Sequence, residues 1–188
     1  MPEGFIPAHG GYKNLLSYKK AEIVFDATIY FCNRFLNKRD RTFDQMVQAA
    51  RSGKQNIAEA SLASGTSKST EIRLTNVARA SLEELLIDFQ DFSRLRDLKE
   101  WNKHHPYARR LTELNRLTDA NYGTFRKGIE HENPEICVNV IVGLIKVTCY
   151  LLDRQIRRLE KDFMEHGGMR ERMMQARLSE RNRQKGPK

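Results

Sequence analysis

Apolar residues recur at three- and four-residue steps through most of the chain, the spacing of one buried face on a helix. Between about Asn14 and Asn37 the positions are Ala21, Val24, Phe25, Thr28, Phe31, Cys32 and Phe35. A second set, Met46, Ala49, Ala50, Gly53, Ile57, Ala60 and Ser61, predicts a helix from about Thr42 to Ala63. Its small side chains suit close approach by a neighbouring helix. Thr42 followed by Gln45 has capping-box spacing, and Gly65 is placed to close the helix. Ser67 or Ser69 is expected to cap a third helix reaching Leu98, with Leu74, Ala78, Leu82, Leu85, Phe89 and Phe92 inward. At ~1.5 Å per residue such a helix is about 45 Å long.

From Glu100 to Glu132 the rhythm breaks. Pro106 is placed to open a short helix with Tyr107, Leu111 and Leu114 on one side, and Asn121-Tyr122-Gly123 and Gly128 read as turns. Asn133-Pro134-Glu135 then restarts a helix, with Asn as cap and Pro at its first position. This fourth long helix runs to about Glu165 on Ile141, Ile145, Cys149, Leu152, Ile156, Leu159 and Phe163. Val140, Leu144, Val147 and Leu151 widen its apolar face, so burial on more than one side is expected. Gly167-Gly168 ends it. A weaker helix follows from Met169 to Asn182, and Gln184 to Lys188 is expected to be disordered, while Met1 to Gly11 reads as an irregular lead-in.

The expected architecture is therefore all-α. It is an up-down four-helix bundle over residues 1–166, with residues 100–132 inserted between helices three and four. Residues 167–188 form a basic C-terminal helix or tail.

Charge adds a direction. The net charge is +9, and the seven basic and two acidic residues from Gly167 onward supply +5 of it. A basic surface favours acidic partners, nucleic acid first and a membrane surface next. Ile136 to Leu152 is interrupted by Asn139 and Lys146 and falls short of a spanning helix. The beginning, MPEGFIPAHGG, carries no signal pattern. Cys32, Cys137 and Cys149 form no CxxC pair and read as buried hydrophobes of a reducing compartment. A cytoplasmic protein with no membrane association is expected.

Catalytic and metal signatures are sparse. None of the histidines, His9, His104, His105, His131 and His166, has an acidic residue three positions before it, so the di-iron Glu-x-x-His motif of bundles is absent. There is no HExxH and no GxSxG, and Ile129 stands where a phosphate loop after Gly123 and Gly128 would need lysine. His104-His105 reads as a surface loop pair. Glu83, Glu84, Asp88 and Asp91 read as a solvated face or a set of salt bridges rather than a divalent-metal site. No enzyme, cofactor or metal is expected.

Basic clusters are more informative. Arg34, Lys38, Arg39 and Arg41 gather at the first interhelical turn, and Arg154, Arg157, Arg158 and Lys161 lie at helical steps late in the fourth long helix. Arg51 and Lys54 sit partway along helix two. The ends of helices one and four are expected at one pole, where the two clusters would merge. Such a surface would hold phosphates by counterion release, with little sequence readout. Trp101, Tyr107 and Tyr122 are candidates for base stacking or for anchoring the insertion.

The string FDQMVQAARSGKQNIAEA (Phe43–Ala60), with Ser67-Lys68 and ARASLEEL (Ala78–Leu85), resembles a small bacterial four-helix-bundle family. That family includes proteins encoded in intervening sequences of large-subunit ribosomal RNA genes. It also includes accessory variability proteins of diversity-generating retroelements. The segment from Tyr150 to Arg177 is similar to a longer subgroup carrying a four-helix-bundle suffix, while Ala60 departs from the glycine frequent in relatives. The resemblance implies a ring-like homo-oligomer, typically a pentamer, with a basic surface. For the retroelement members it implies binding of nucleic acid and a reverse transcriptase. It further implies that Asn56, Glu59 and Arg79 tie helices two and three together, and that Arg51 and Lys54 contact nucleic acid. An interaction module docking an acidic protein partner is the alternative.

Overall fold

Three of the long helices start at a side chain that accepts a hydrogen bond from an otherwise orphaned backbone N–H. The computed structural model describes residues 9–184, and these contain helices and connections but no strand. After a short 3-10 turn at Tyr12–Asn14, α1 spans Leu16–Phe35, α2 Arg41–Ala63 and α3 Lys68–Arg94. Two short helices follow, α4 at Pro106–Asn115 and α5 at Tyr122–Ile129. The long α6 at Pro134–His166 and α7 at Met169–Gln184 complete the described chain. Residues Met1 to Ala8, most of the expected lead-in, and Lys185 to Lys188 of the tail lie outside it.

The cap of α2 differs from expectation. Asp40 Oδ1 accepts from Thr42 N at 2.9 Å, so the helix begins one residue before Thr42 and no Thr42–Gln45 box is needed. Ser67 Oγ caps α3 by accepting from Thr70 N at 3.2 Å, and Asn133 Oδ1 caps α6 by accepting from Glu135 N at 2.9 Å. The α3 helix stops at Arg94, short of Leu98. Asp97 adopts φ 52°, and Leu98 N donates to Ser93 O at 3.0 Å, closing the end in a Schellman-type turn. Aspartate is among the few non-glycine residues that tolerate this left-handed geometry.

α1 packs on α2 and α6, and α3 packs on the same two helices. Ser17 Oγ, at the start of α1, donates to Gln155 Oε1 at 2.9 Å, late in α6. Tyr30 OH, near the end of α1, donates to the Glu130 carbonyl at 3.4 Å, just before α6. α1 and α6 are therefore antiparallel. Phe31 lies 4.8 Å from both Phe89 and Phe92, so α1 and α3 end at the same place.

Where α2 meets α3, the small residues do the work anticipated for them. A Cβ on Gly53 would sit 2.7 Å from Leu82 Cγ and Cδ2, and Leu82 is fully buried. Ser52 and Ser81 hydroxyls meet at 3.0 Å across the same contact.

The insertion is more ordered than its glycines suggest. Asn121-Tyr122-Gly123 and Gly128 were expected as turns, yet Tyr122, Gly123 and Gly128 lie in α5. Thr124 Oγ1 accepts from Asn121 N at 3.2 Å to start the helix. Gly128 is needed for contact, since its Cβ would lie 2.8 Å from Val140 Cγ2 of α6. Asn139, buried in α6, holds the strap before α4. Its Nδ2 donates to Lys99 O and its Oδ1 accepts from Trp101 N, both at 2.8 Å. Glu100 pairs with Lys146, and Trp101 stacks on His105 at 4.8 Å. The aromatic residues of this segment thus anchor it, although Tyr107 keeps 56% of its surface exposed.

By length and composition α6 contains a window apolar enough to cross a membrane, but 61% of that window is buried within the protein. Its apolar excess belongs to the core. Cys32, Cys137 and Cys149 are buried free thiols, each pushed up to about 12 chiefly by burial.

Lys20 of α1 is fully buried. Its Nζ donates to Asn115 Oδ1 at 3.1 Å and lies 4.9 Å from the Phe125 ring centre, so it pins the insertion to α1. Burial lowers its pKa below the usual lysine value. The unfolded chain then holds the Lys20 proton to higher pH than the folded one, so stability rises with pH between the folded and unfolded values. Lys20→Met is expected to remove that rise. At neutral pH it should be neutral or stabilising by roughly 1 kcal/mol, as when apolar groups replace buried charge. Urea unfolding of both proteins across neutral to alkaline pH checks the sign.

Candidate nucleic-acid interface

The antiparallel run of α1 and α6 separates the two principal basic clusters. Arg34, Lys38, Arg39 and Arg41 lie at the end of α1, beside the start of α6. Arg154, Arg157, Arg158 and Lys161 lie beside the start of α1, to which Gln155 is bonded. The twenty residues of α1 hold the two ends about 30 Å apart. The expectation that these clusters merge is overturned, because the end of α1 lies beside the start of α6 and not beside its end.

At the first end the cations of the cluster are free of ion pairs: Arg34, Lys38, Arg39 and Arg41 are all exposed, and none forms a salt bridge among the described residues. The turn carrying them is built by Asn37, whose Oδ1 accepts from Arg39 N at 3.0 Å, and by Asp40, the α2 cap. The Thr42 bonds hold the Asp40 carboxyl below its ordinary value, and the nearby Arg96 guanidinium adds to this. Asp40 is therefore a fixed anion in helix capping. Arg96 itself, which the sequence pattern had placed within a helix, sits in the turn after α3 with its guanidinium 3.8 Å from the Phe92 ring centre. It brings another exposed cation to this end, while Arg94 is paired with Asp91 at 2.8 Å.

At the second end, Arg154, Arg157, Arg158 and Lys161 are exposed along one face of α6, within an arc of about 100° at 100° per residue. Asp153, Glu160 and Asp162 fall outside the arc, and Glu165 closes it by pairing with Lys161 at 3.7 Å. Arg154 lies 6.0 Å from the Tyr150 ring centre. Beyond Gly167, whose φ of 66° breaks the helix, α7 buries none of its residues and continues the exposed arginines with Arg170, Arg177, Arg181 and Arg183.

Arg51 and Lys54 lie between the ends. Arg51 is exposed, whereas Lys54 is half-buried with its Nζ 4.2 Å from the Phe25 ring centre. Both line a shallow pocket of about 310 Å³ with Tyr12, Tyr18 and Gln55. Lys54 also faces Asp26, whose carboxyl is raised by burial and only partly drawn back by that ammonium.

The motif residues divide differently from the resemblance. Asn56 Nδ2 donates to Ser52 O at 2.9 Å and Ser52 Oγ at 3.1 Å, supporting the serine pair between α2 and α3 from within its own helix. Arg79 bonds along α3 to Asn76 and Glu83, and reaches Asp153 of α6 at 3.3 Å. It ties α3 to α6, not to α2. Glu59 is exposed and makes no hydrogen bond or salt bridge among the described residues.

Among the described residues no three His, Cys, Asp or Glu side chains come together as a metal-binding group. Of the acidic run on α3, Asp88 is raised by burial and then by Glu84 and Asp91, and Asp91 is spent on Arg94. The structure thus presents two separated, exposed groups of cations and one half-occupied pair between them. No protein-family model, curated protein or solved structure matches the chain.

Proposed function

We propose that the chain is a non-enzymatic, homo-oligomeric helical bundle that binds RNA or DNA through its phosphates. In this reading α1, α2, α3 and α6 form an up-down four-helix bundle of the family that its motif strings resemble, and the protein acts in the cytoplasm. Ring assembly as a pentamer, and service to a reverse transcriptase or to ribosomal RNA, belong to the same reading. The observation that carries it is the exposed and unpaired state of Arg34, Lys38, Arg39 and Arg41. Cations without carboxylate partners can neutralise phosphates without first giving up an ion pair. With poles about 30 Å apart, one phosphate backbone would be gripped at separate points and read without base specificity.

Filter binding at low salt with single-stranded and duplex RNA and DNA tests the reading. Retention of unrelated sequences to a similar extent is expected. No retention of any of them removes the proposal.

A second reading has its own support. Met164, Met173, Met174 and Leu178 are exposed among the arginines of α6 and α7. Such a mixed surface suits an acidic protein partner. Removal of residues 169–188 separates the readings, because phosphate binding by the α1–α2 end should survive it. Assembly is tested by light scattering, where a particle of only 21.9 kDa would exclude the homo-oligomer.

A further inference from the structure

The insertion shapes an open cleft that the charged surface does not explain. Between α4, α5 and α6 lies a cavity of about 520 Å³. That is within the ~300–1,000 Å³ usual for small-molecule sites. Its walls are apolar, formed by Leu111 and Leu114 of α4, Phe125 of α5, and Ile136 and Val140 of α6. Trp101 and Tyr107 complete them from the strap and the start of α4. The polar side chains along the lining are cationic or neutral: Arg110, Lys127, His131 and Thr124, with no carboxylate.

These polar groups are not equivalent. Arg110 is bound to Glu113 at 2.9 Å. Lys127 is exposed and forms no salt bridge among the described residues. His131 Nδ1 accepts from Asn133 N at 3.0 Å, which puts the proton of the neutral ring on Nε2 and leaves that N–H as a donor. Thr124 Oγ1 is engaged by Asn121 N. An apolar interior with an unspent ammonium and an imidazole N–H calls for a hydrocarbon body ending in one negative group. A polar body would leave hydrogen-bonding groups unmatched against Leu, Ile and Val walls.

The walls are also held in place. Gly128 and Gly143 let α5 and α4 sit directly on α6, where any Cβ would strike Val140 and Leu111 respectively. Asn139 and the Trp101–His105 stack fix the strap. The lining is therefore carried by anchored elements rather than by a loose loop.

We propose that this cavity binds a small amphipathic carboxylate, its acyl or aryl body against Phe125, Ile136 and Val140 and its carboxylate at Lys127 and His131. This site is independent of the phosphate-binding surface, and its success or failure leaves that reading untouched.

Trp101 is the chain's only tryptophan and lines the cavity, so its fluorescence reports occupancy. Full-length protein titrated with decanoate should show a saturable change, with one decanoate bound per chain by calorimetry. Decanol, which has the same body without the charge, should bind at least ten-fold more weakly. Lys127→Glu lies on the exposed face of α5, and it should weaken decanoate at least five-fold while leaving decanol unchanged. Ile136→Phe should weaken both ligands by filling the space, with an unchanged circular-dichroism spectrum. A non-saturating response to decanoate, equal binding of decanol, or indifference to Lys127→Glu would each overturn the assignment.

Discussion

Replacing Arg34, Lys38, Arg39 and Arg41 together by alanine is expected to weaken nucleic-acid binding at least ten-fold near 0.1 M salt. The four side chains are exposed and outside any salt bridge among the described residues, so their removal costs the fold little. Each phosphate neutralised contributes about −0.9 to the slope of log K against log salt on a duplex. Loss of four such contacts should therefore flatten the slope by about 3 to 4 units. The matching replacement of Arg154, Arg157, Arg158 and Lys161 should produce a smaller effect, since Lys161 is already paired with Glu165. Filter binding of the two variants across one salt series measures both slopes. Equal affinity in the first variant and the unaltered protein would exclude the α1–α2 end as the contact surface.

Phe31→Ala should have the largest effect on stability. Phe31 is fully buried, 4.8 Å from Phe89 and Phe92 and 5.2 Å from Phe35, so one ring joins the ends of α1 and α3. Truncation of such a ring costs about 3–5 kcal/mol through lost transfer energy and the cavity left behind. That is a large share of a typical domain's ~5–15 kcal/mol. Thermal unfolding should shift down by on the order of 10 °C. Phe31 takes no part in the cap of α1, which is closed by Leu36 N donating to Cys32 O, so a loss of cooperative packing at this end, rather than of helix content, is the expected signature.

The long helices were legible because their buried faces repeat without interruption and their ends carry local chemistry. Ser67, Asn133 and Pro106 act where the sequence places them, and Gly167 stops α6. Local signals competed in two places. Asp40 caps α2 in preference to Thr42: its carboxylate accepts from the Thr42 N–H, and Thr42 itself falls inside the helix. Asp97 takes the left-handed position that ends α3, a role sequence reading reserves for glycine.

The remaining differences depend on contacts distant in the chain. Gly123 and Gly128 resemble turn residues, and only the closeness of Val140 explains a helical glycine at position 128. Lys20 lies on the buried face of α1, and nothing local reveals that Asn115 and Phe125 cover it. The cavity behind Trp101 needs three elements at once. For the basic residues the types were readable and the grouping was not. Direction of the helices decides it, and direction separates Arg34–Arg41 from Arg154–Lys161 while bringing Arg96 to the first group.

The salt dependence of binding by the unaltered protein tests the central claim most directly. Filter binding of one duplex DNA between roughly 0.05 and 0.2 M salt should give a straight line of log K against log salt with a slope of about −3.6 or steeper, the value for four or more phosphate contacts. A flat line, or no binding at the lowest salt, would contradict an account in which clustered, unpaired Arg and Lys hold a phosphate backbone.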